Sequence, residues 1–230
     1  MWMKNYIPNI TTLLNLFSGC VAVVLLSGGN FYLSVWFIIA SSVFDFFDGM
    51  FARLLNSTSK IGKDLDSLAD MVSFGLYPGF VMYWLLSKST LPECCGLYIP
   101  FLGFLITCFS ALRLAIFNND ESQAINFMGL PTPANTLFIL SLPYILINNY
   151  GHLIVSYYTI LMIVIFSSLI LVAPIELFSL KIKNITWHSN KFIFTLIIIS
   201  ILLFSFFTFK SIPIIILLYI ILSIIKKIVK

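Results

Sequence analysis

Eight apolar runs dominate the sequence, at residues 11–27, 31–53, 64–86, 97–117, 132–149, 153–175, 191–209 and 212–228. The hydrocarbon core of a bilayer takes about 20 apolar residues of helix to cross, so each run is long enough to be read as a span. Of the 230 residues, 60% are hydrophobic and 10% charged, whereas a soluble domain is about 45–50% apolar. So little polar surface cannot cover a water-facing globule. The expected fold is an all-α integral membrane protein, a polytopic bundle of about eight helices. Lys210 and Ser211 alone separate the last two runs before Pro213, which predicts a tight helical hairpin with Pro213 in the first turn of the final helix. The whole chain, 1–230, reads as one membrane domain, with a six-helix core over 1–175 and a C-terminal helical hairpin over 191–230.

Basic residues orient the spans. One side receives Lys4, Arg53, Lys60, Lys63, Arg113, Lys181, Lys183, Lys191, Lys226, Lys227 and Lys230, and the other only Lys88 and Lys210. Lys and Arg are retained on the cytoplasmic side, which predicts that both termini are cytoplasmic. The formal charge of +4 follows from this topology and from contact with anionic lipid; no basic patch with interleaved aromatics points to nucleic acid. Cys20, Cys94, Cys95 and Cys108 have no metal-ligand spacing. Cys20 and Cys108 read as small apolar fillers, and Cys94 and Cys95 fall in a predicted external loop. The first residues, MWMKNYIPN, show no cleavable-signal pattern, and run one is read as a retained helix.

Against this background residues 45–70 stand out, with five aspartates in 26 positions. Carboxylates near lipid are costly and mark functional sites by default. Asp45 and Asp48, three apart, share a helical face that Gly49 and Ala52 continue with almost no side chain. Arg53 adds a planar guanidinium suited to phosphate. After a turn through LNSTSKIG, the residues Gly62, Asp66 and Asp70 recur every fourth position and share a face of helix three. Asp64 falls about 160° away from Asp66 at 100° per residue and is left out of the cluster. An antiparallel pairing of helices two and three would bring Asp45, Asp48, Asp66 and Asp70 together. Four carboxylates sharing a pocket require cations, and hard oxygen donors suit Mg²⁺, Mn²⁺ or Ca²⁺. Two divalent ions would balance the four charges and could clamp a pyrophosphate.

The string D-x2-D-G-x2-A-R, eight residues, then G-x3-D-x3-D resembles the signature of the CDP-alcohol phosphotransferase family, integral membrane enzymes of phospholipid synthesis. Every signature position is matched, by Asp45, Asp48, Gly49, Ala52, Arg53, Gly62, Asp66 and Asp70. The resemblance implies a CDP-linked lipid donor, CMP as leaving group, a divalent metal (Mg or Mn, two ions) and an alcohol acceptor. It also implies metal ligation by Asp45, Asp48 and Asp66. Asp70 would be the general base and also touch metal, while Asp48, Gly49, Ala52, Arg53 and Gly62 would form the CDP site. By the same resemblance the enzyme would sit in the cell membrane of a bacterium and could be a homodimer; the basic-residue count puts the active site on its cytoplasmic side.

Four further stretches, IPNITTLLNLFSG, LDSLADMVSFGLYPG, SALRLAIFN and GLPTPAN, look like the membrane-bound phosphatidylserine synthases within that family. This likeness implies transfer of the phosphatidyl group of CDP-diacylglycerol to the hydroxyl of L-serine. Arg113, the one charged residue in run four, is the candidate for the serine carboxylate or a donor phosphate, with Asn118 beside it; the competing reading is an arginine snorkelling to the interface. Lys60 and Lys63 flank the loop and could approach phosphates. Pro131 and Pro133 are expected to shape the start of helix five, and His152 and His188 to sit in loops without a role. Glycerol 3-phosphate or an inositol phosphate is the alternative acceptor, and either would favour a more basic pocket. A cation transporter is the alternative of another class, but a transport pathway spreads polar residues over several spans, and here they gather on one side.

Overall fold

The computed structural model describes residues 6–55, 57, 59–90, 96–119, 127–147, 155–178 and 187–229. Lys4, Cys94, Cys95, His152, Lys181, Lys183 and Lys230 lie outside the described residues. The architecture is helical. Helix α1 (Tyr6–Ser27) and α2 (Phe31–Leu54) form a hairpin. The stripe α1 presents inward is Pro8, Thr12, Asn15, Ser18, Gly19, Ala22 and Leu26, a face of small and polar residues. In lipid, where apolar side chains gain nothing by leaving the solvent, such residues hold helices together by close packing and interhelical hydrogen bonds.

The third run is not one uniform helix. Helix α3 (Lys60–Asp70) starts at an N-cap, Ser59, whose hydroxyl accepts from the Gly62 amide at 3.0 Å. It passes through a π-helical turn, Met71–Leu76, into α4 (Tyr77–Ser87). A π turn loosens the regular backbone ladder, and such turns cluster at functional sites. Neighbouring helices supply donors here: Thr136 donates to the Phe74 carbonyl at 3.1 Å and Thr107 to the Gly75 carbonyl at 3.0 Å.

A 3₁₀ segment, Ile99–Phe104, leads into α5 (Leu105–Asn119). Two-residue strands β1 (Phe127–Met128) and β2 (Glu176–Leu177) then pair antiparallel, Phe127 opposite Leu177 and Met128 opposite Glu176. Gly129 follows β1 with φ at +73°, and a Cβ there would collide with the Leu171 carbonyl, so the glycine of GLPTPAN is required on both counts. Next come α6 (Thr132–Ser141), led by Pro131 as predicted, and the single turn α7 (Pro143–Leu146). Pro143 lacks an amide hydrogen and divides the fifth run into α6 and α7, and among the described residues that run's helix ends at Leu146. Helix α8 (Tyr157–Val172), α9 (Trp187–Phe207) and α10 (Ile212–Val229) complete the chain. Residue 188 lies within α9, so His188 belongs to a helix and not to a loop.

Among the described residues, 4 helices are long and apolar enough to cross a membrane: Tyr6–Ser27, Phe31–Leu54, Ile99–Asn119 and Lys191–Lys227. The last includes a 3₁₀ turn at Thr208–Ser211, where Thr208 takes a φ of 51°. Thr132–Leu146 and Tyr157–Val172 are shorter apolar helices. Two clusters form the interior. The larger joins Leu26, Ile38, Phe74, Tyr77, Met82, Ile106, Ile139 and Ile160; the smaller joins Leu130, Ile170 and Phe178 to Ile193, Leu196, Ile216, Tyr219 and Ile220 of α9 and α10. Outward faces remain apolar, with Phe17, Trp36 and Phe206 exposed, as a lipid-facing surface requires. Cys20 and Cys108 are also exposed. They occupy outward faces and do not fill gaps in the interior, a correction to the expectation from their size.

Candidate functional site

The acidic faces of α2 and α3 meet. Asp45, Asp48 and Asp66 each offer a carboxylate oxygen, and the three oxygens lie within 4.8 Å of one another. The local reason is periodicity: Asp48 and Asp66 stand at one level and Asp45 and Asp70 one turn deeper, on two helices that each pack against α1 and not, as expected, directly on each other. Asp45 and Asp70 lie within electrostatic reach of each other. Asp64 points elsewhere and is exposed, as its angular offset predicted.

Asp48 is 6% exposed. Its Oδ2 and the Oδ1 of Asp66 are buried without a hydrogen-bond partner. Buried acceptors normally find donors, and leaving a carboxylate oxygen unsatisfied is more costly still. Two orphaned oxygens from facing helices, in an all-carboxylate set, fit a hard divalent cation. Asp45, Asp48 and Asp66 are the residues that could hold it.

A cleft of about 490 Å³ opens over the cluster, lined by Pro8, Asn9, Asp48, Gly49, Ala52, Ser57, Ser59, Lys60, Gly62, Lys63 and Asp66. The predicted nucleotide-site residues Asp48, Gly49, Ala52 and Gly62 all border it, together with both lysines. Gly49 is not small because a neighbour crowds it: the nearest atom to a Cβ there would be the Arg53 guanidinium, 3.9 Å away. Its missing side chain leaves the space in the cleft. Arg53 does not border the cleft; it is exposed and its Nε donates to the Gly49 carbonyl at 2.8 Å.

The other predicted contributors divide. Arg113, on α5, is 6% exposed with its Nε buried and unpartnered, which is not the geometry of an arginine snorkelling to water. Its guanidinium lies 6.0 Å from the Phe117 ring centroid, and Asp70 and Tyr219 are within its electrostatic reach. Asn118 does not join it. The Asn118 side-chain amide donates to the Ser67 hydroxyl at 2.7 Å, and the Asn118 backbone carbonyl accepts from Lys63 Nζ at 2.8 Å. It borders a separate groove between α3 and α5, with Asp64, Ser67 and Leu68.

Two residues of α1 reach the acids, and of these Asn15 was not anticipated. Thr12 of α1 meets Asp48, and the Asn15 amide donates to Asp70 Oδ1 at 3.3 Å. Both lie in IPNITTLLNLFSG, where a polar residue recurring at helical spacing inside an apolar run was the available signal.

The family model described as CDP-alcohol phosphatidyltransferase matches residues 5–172. The chain belongs to the CDP-alcohol phosphatidyltransferase family. The matched segment includes the cleft and the acidic cluster, and α9 and α10 lie beyond it. Similar proteins include the CDP-diacylglycerol–serine O-phosphatidyltransferase of Helicobacter pylori, 29% identical over 199 residues, which span 84% of this chain and 80% of that protein. The Bacillus subtilis protein of the same name is 38% identical over 147 residues, 61% of this chain and 77% of the relative. That of Saccharomyces cerevisiae is 33% identical over 159 residues, 62% of this chain and 55% of the relative.

Proposed function

We propose that the protein is a phosphatidylserine synthase, transferring the phosphatidyl group of CDP-diacylglycerol to the hydroxyl of L-serine with release of CMP. The observation that carries the reading is the acidic cluster at the floor of a cleft bordered by small residues and two lysines, in a chain whose relatives bear that activity in their names. Asp45, Asp48 and Asp66 would hold divalent cation, Mg or Mn as two ions, with Asp70 at the deeper edge. When bound, the metal neutralises the pyrophosphate and the charge that grows on departing CMP. Gly49, Ala52 and Gly62 let the nucleotide approach the backbone, and Lys60 and Lys63 face its phosphates; Arg53, outside the cleft, would have to leave the Gly49 carbonyl to reach them.

The serine oxygen attacks the phosphorus that carries diacylglycerol, a new P–O bond forms, and the bond to the CMP oxygen breaks. An alcohol is a weak nucleophile at neutral pH, so its proton must leave as the bond forms, and Asp70 accepts it. Arg113 stands within electrostatic reach of Asp70 and binds the serine carboxylate. It is a buried cation with a free Nε, suited to a carboxylate. A phosphorylated alcohol would call for more positive charge than one arginine offers.

The active site faces the cytoplasm, with eight spans and both termini on that side of the cell membrane. The Lys63–Asn118 contact and the Glu176–Lys227 ion pair at 3.4 Å support this. They join the start of α3 to the end of α5, and β2 to the end of α10, all ends predicted to be cytoplasmic. The six-helix core over 1–175 carries the chemistry and the hairpin over 191–230 braces it. The enzyme is proposed to act as a homodimer, which sedimentation in detergent would test.

Purified protein incubated with Mg²⁺ or Mn²⁺, CDP-diacylglycerol and radiolabelled serine, glycerol 3-phosphate or inositol phosphate tests the reading. Serine alone is expected to give labelled lipid and stoichiometric CMP. Label entering lipid from either phosphorylated alcohol in place of serine would transfer the assignment to that alcohol.

A further inference from the structure

The α1 segment IPNITTLLNLFSG has no role in the reading above, yet it places a fully buried amide between the acids and the bundle interior. Asn15 is 0% exposed, as are Ser41 of α2 and Ser73 of the π turn. Its Oδ1 accepts from both hydroxyls, from Ser41 in a close hydrogen bond and from Ser73 at 2.8 Å. Ser73 also reaches the Asn15 backbone carbonyl at 3.2 Å. On the other side of the carboxamide, Nδ2 donates to Asp70 Oδ1 at 3.3 Å.

An amide oxygen has two acceptor positions, and here two donors from two different elements occupy them. Rotating the carboxamide by half a turn would aim its oxygen at the Asp70 carboxyl and its NH₂ at the two serines. A serine oxygen can accept as well as donate, whereas a carboxylate only accepts, so Asp70 selects the NH₂ end and the two serines hold the opposite end in place. Gly19, one turn further along α1, makes the arrangement feasible: a Cβ at that position would collide with the Ser73 hydroxyl. The π turn contributes too, since Ser73 lies within it, three residues beyond Asp70.

We propose that Asn15, clamped by Ser41 and Ser73, is the positioning residue that aims Asp70 at the acceptor alcohol. The inference rests on the role assigned to Asp70 above. Asn15 does not touch substrate; it fixes the direction of the carboxyl group that does. A polar residue inside a membrane bundle can also serve simply as interhelical glue, and that role would show as lost stability with the kinetics of the folded protein unchanged.

The test compares purified wild type, Asn15→Leu and the double variant Ser41→Ala/Ser73→Ala, using whichever alcohol the wild type turns over. A wrong acceptor thereby counts against the serine assignment and leaves this inference under test. A supporting partner that orients a reacting group is worth about 10–100-fold in activity, so Asn15→Leu should lower kcat by about that factor with the KM for CDP-diacylglycerol unchanged. The double variant keeps Asn15 and Asp70 and should still lose kcat, by about tenfold. In an Asp70→Asn background, itself down by about 10²–10⁴, Asn15→Leu should cost nothing further, because the group it aims is gone. Wild-type kcat in folded Asn15→Leu, or an undiminished loss in the Asp70→Asn background, overturns the proposal. If Asn15→Leu does not fold, the double variant decides, and wild-type kcat there refutes the clamp. A crystal structure of the double variant gives a readout independent of turnover: the carboxamide is expected to turn away from Asp70, and its staying in place would refute the clamp.

Discussion

The two ends of the α2–α4 region are built on opposite plans. Toward the start of α2, Phe31 stacks on Trp84 with ring centroids 5.6 Å apart and meets Tyr144 edge-on at 5.7 Å, while Tyr144 stacks on Phe209 at 5.1 Å. Toward its end, Asp48, Gly49 and Ala52 face Gly62 and Asp66 across an open cleft. Rings fill one end, where density of contact holds helices together in a solvent as apolar as they are. The other end is hollow and carries unpaired charge, an arrangement that costs stability and is repaid when ligand arrives. Rigidity at the aromatic end is what allows the acidic end to be held open.

Substitutions at the two ends should therefore fail in different ways. The largest effect is expected at the acids. Asp66→Asn should reduce CMP release to background while the apo protein melts at or above the wild-type temperature, since a repelling buried carboxylate has been removed. Calorimetry and a CMP assay on one preparation would check both halves, and chelation of divalent metal should abolish wild-type turnover alike. Gly49→Ala puts a Cβ into the cleft without striking a neighbour. It should raise the KM for CDP-diacylglycerol by about tenfold, equivalent to about 1.4 kcal/mol, with no change in melting; initial rates over a donor titration decide. Phe31→Ala is the converse. Truncating a buried phenylalanine costs about 3 kcal/mol, read by thermal unfolding in detergent, while turnover per folded molecule stays at wild type. Smallest of all, Asp64→Asn should leave both rate and melting unchanged, and a marked loss of activity would mean that the acidic site extends to the exposed face of α3.

Much of the acidic end was legible because helical periodicity converts spacing into direction. Asp45 and Asp48 three apart, and Gly62, Asp66 and Asp70 four apart, had to share faces, and Asp64 had to diverge. Hydropathy located the apolar runs for a similar reason. Asn118 could not be separated from Arg113 in this way, since its partners, Ser67 and Lys63, come from another helix. Nor could the burial of Arg113 be foreseen, because Tyr219 lies 106 positions away on α10 and only the tertiary fold brings it near. The β1–β2 pairing rests on two residues per strand, too few to leave a periodic signal. The π turn is equally silent, since MVSFGL reads as ordinary apolar helix.

That turn has a mechanical consequence. A π turn accommodates about one residue more than the regular spiral would, and one residue is about 100° of rotation about the axis. The acid-bearing half, Lys60–Asp70, is thus phased independently of the half from Tyr77 to Ser87 that is wedged into the bundle. Excising a single residue between 71 and 76 would re-index one half against the other, swinging Asp66 and Asp70 off the cleft while every contact of Tyr77, Met82 and Leu85 stayed seated. The aim of the acids and the anchorage of the helix are separately adjustable, joined by a six-residue coupling.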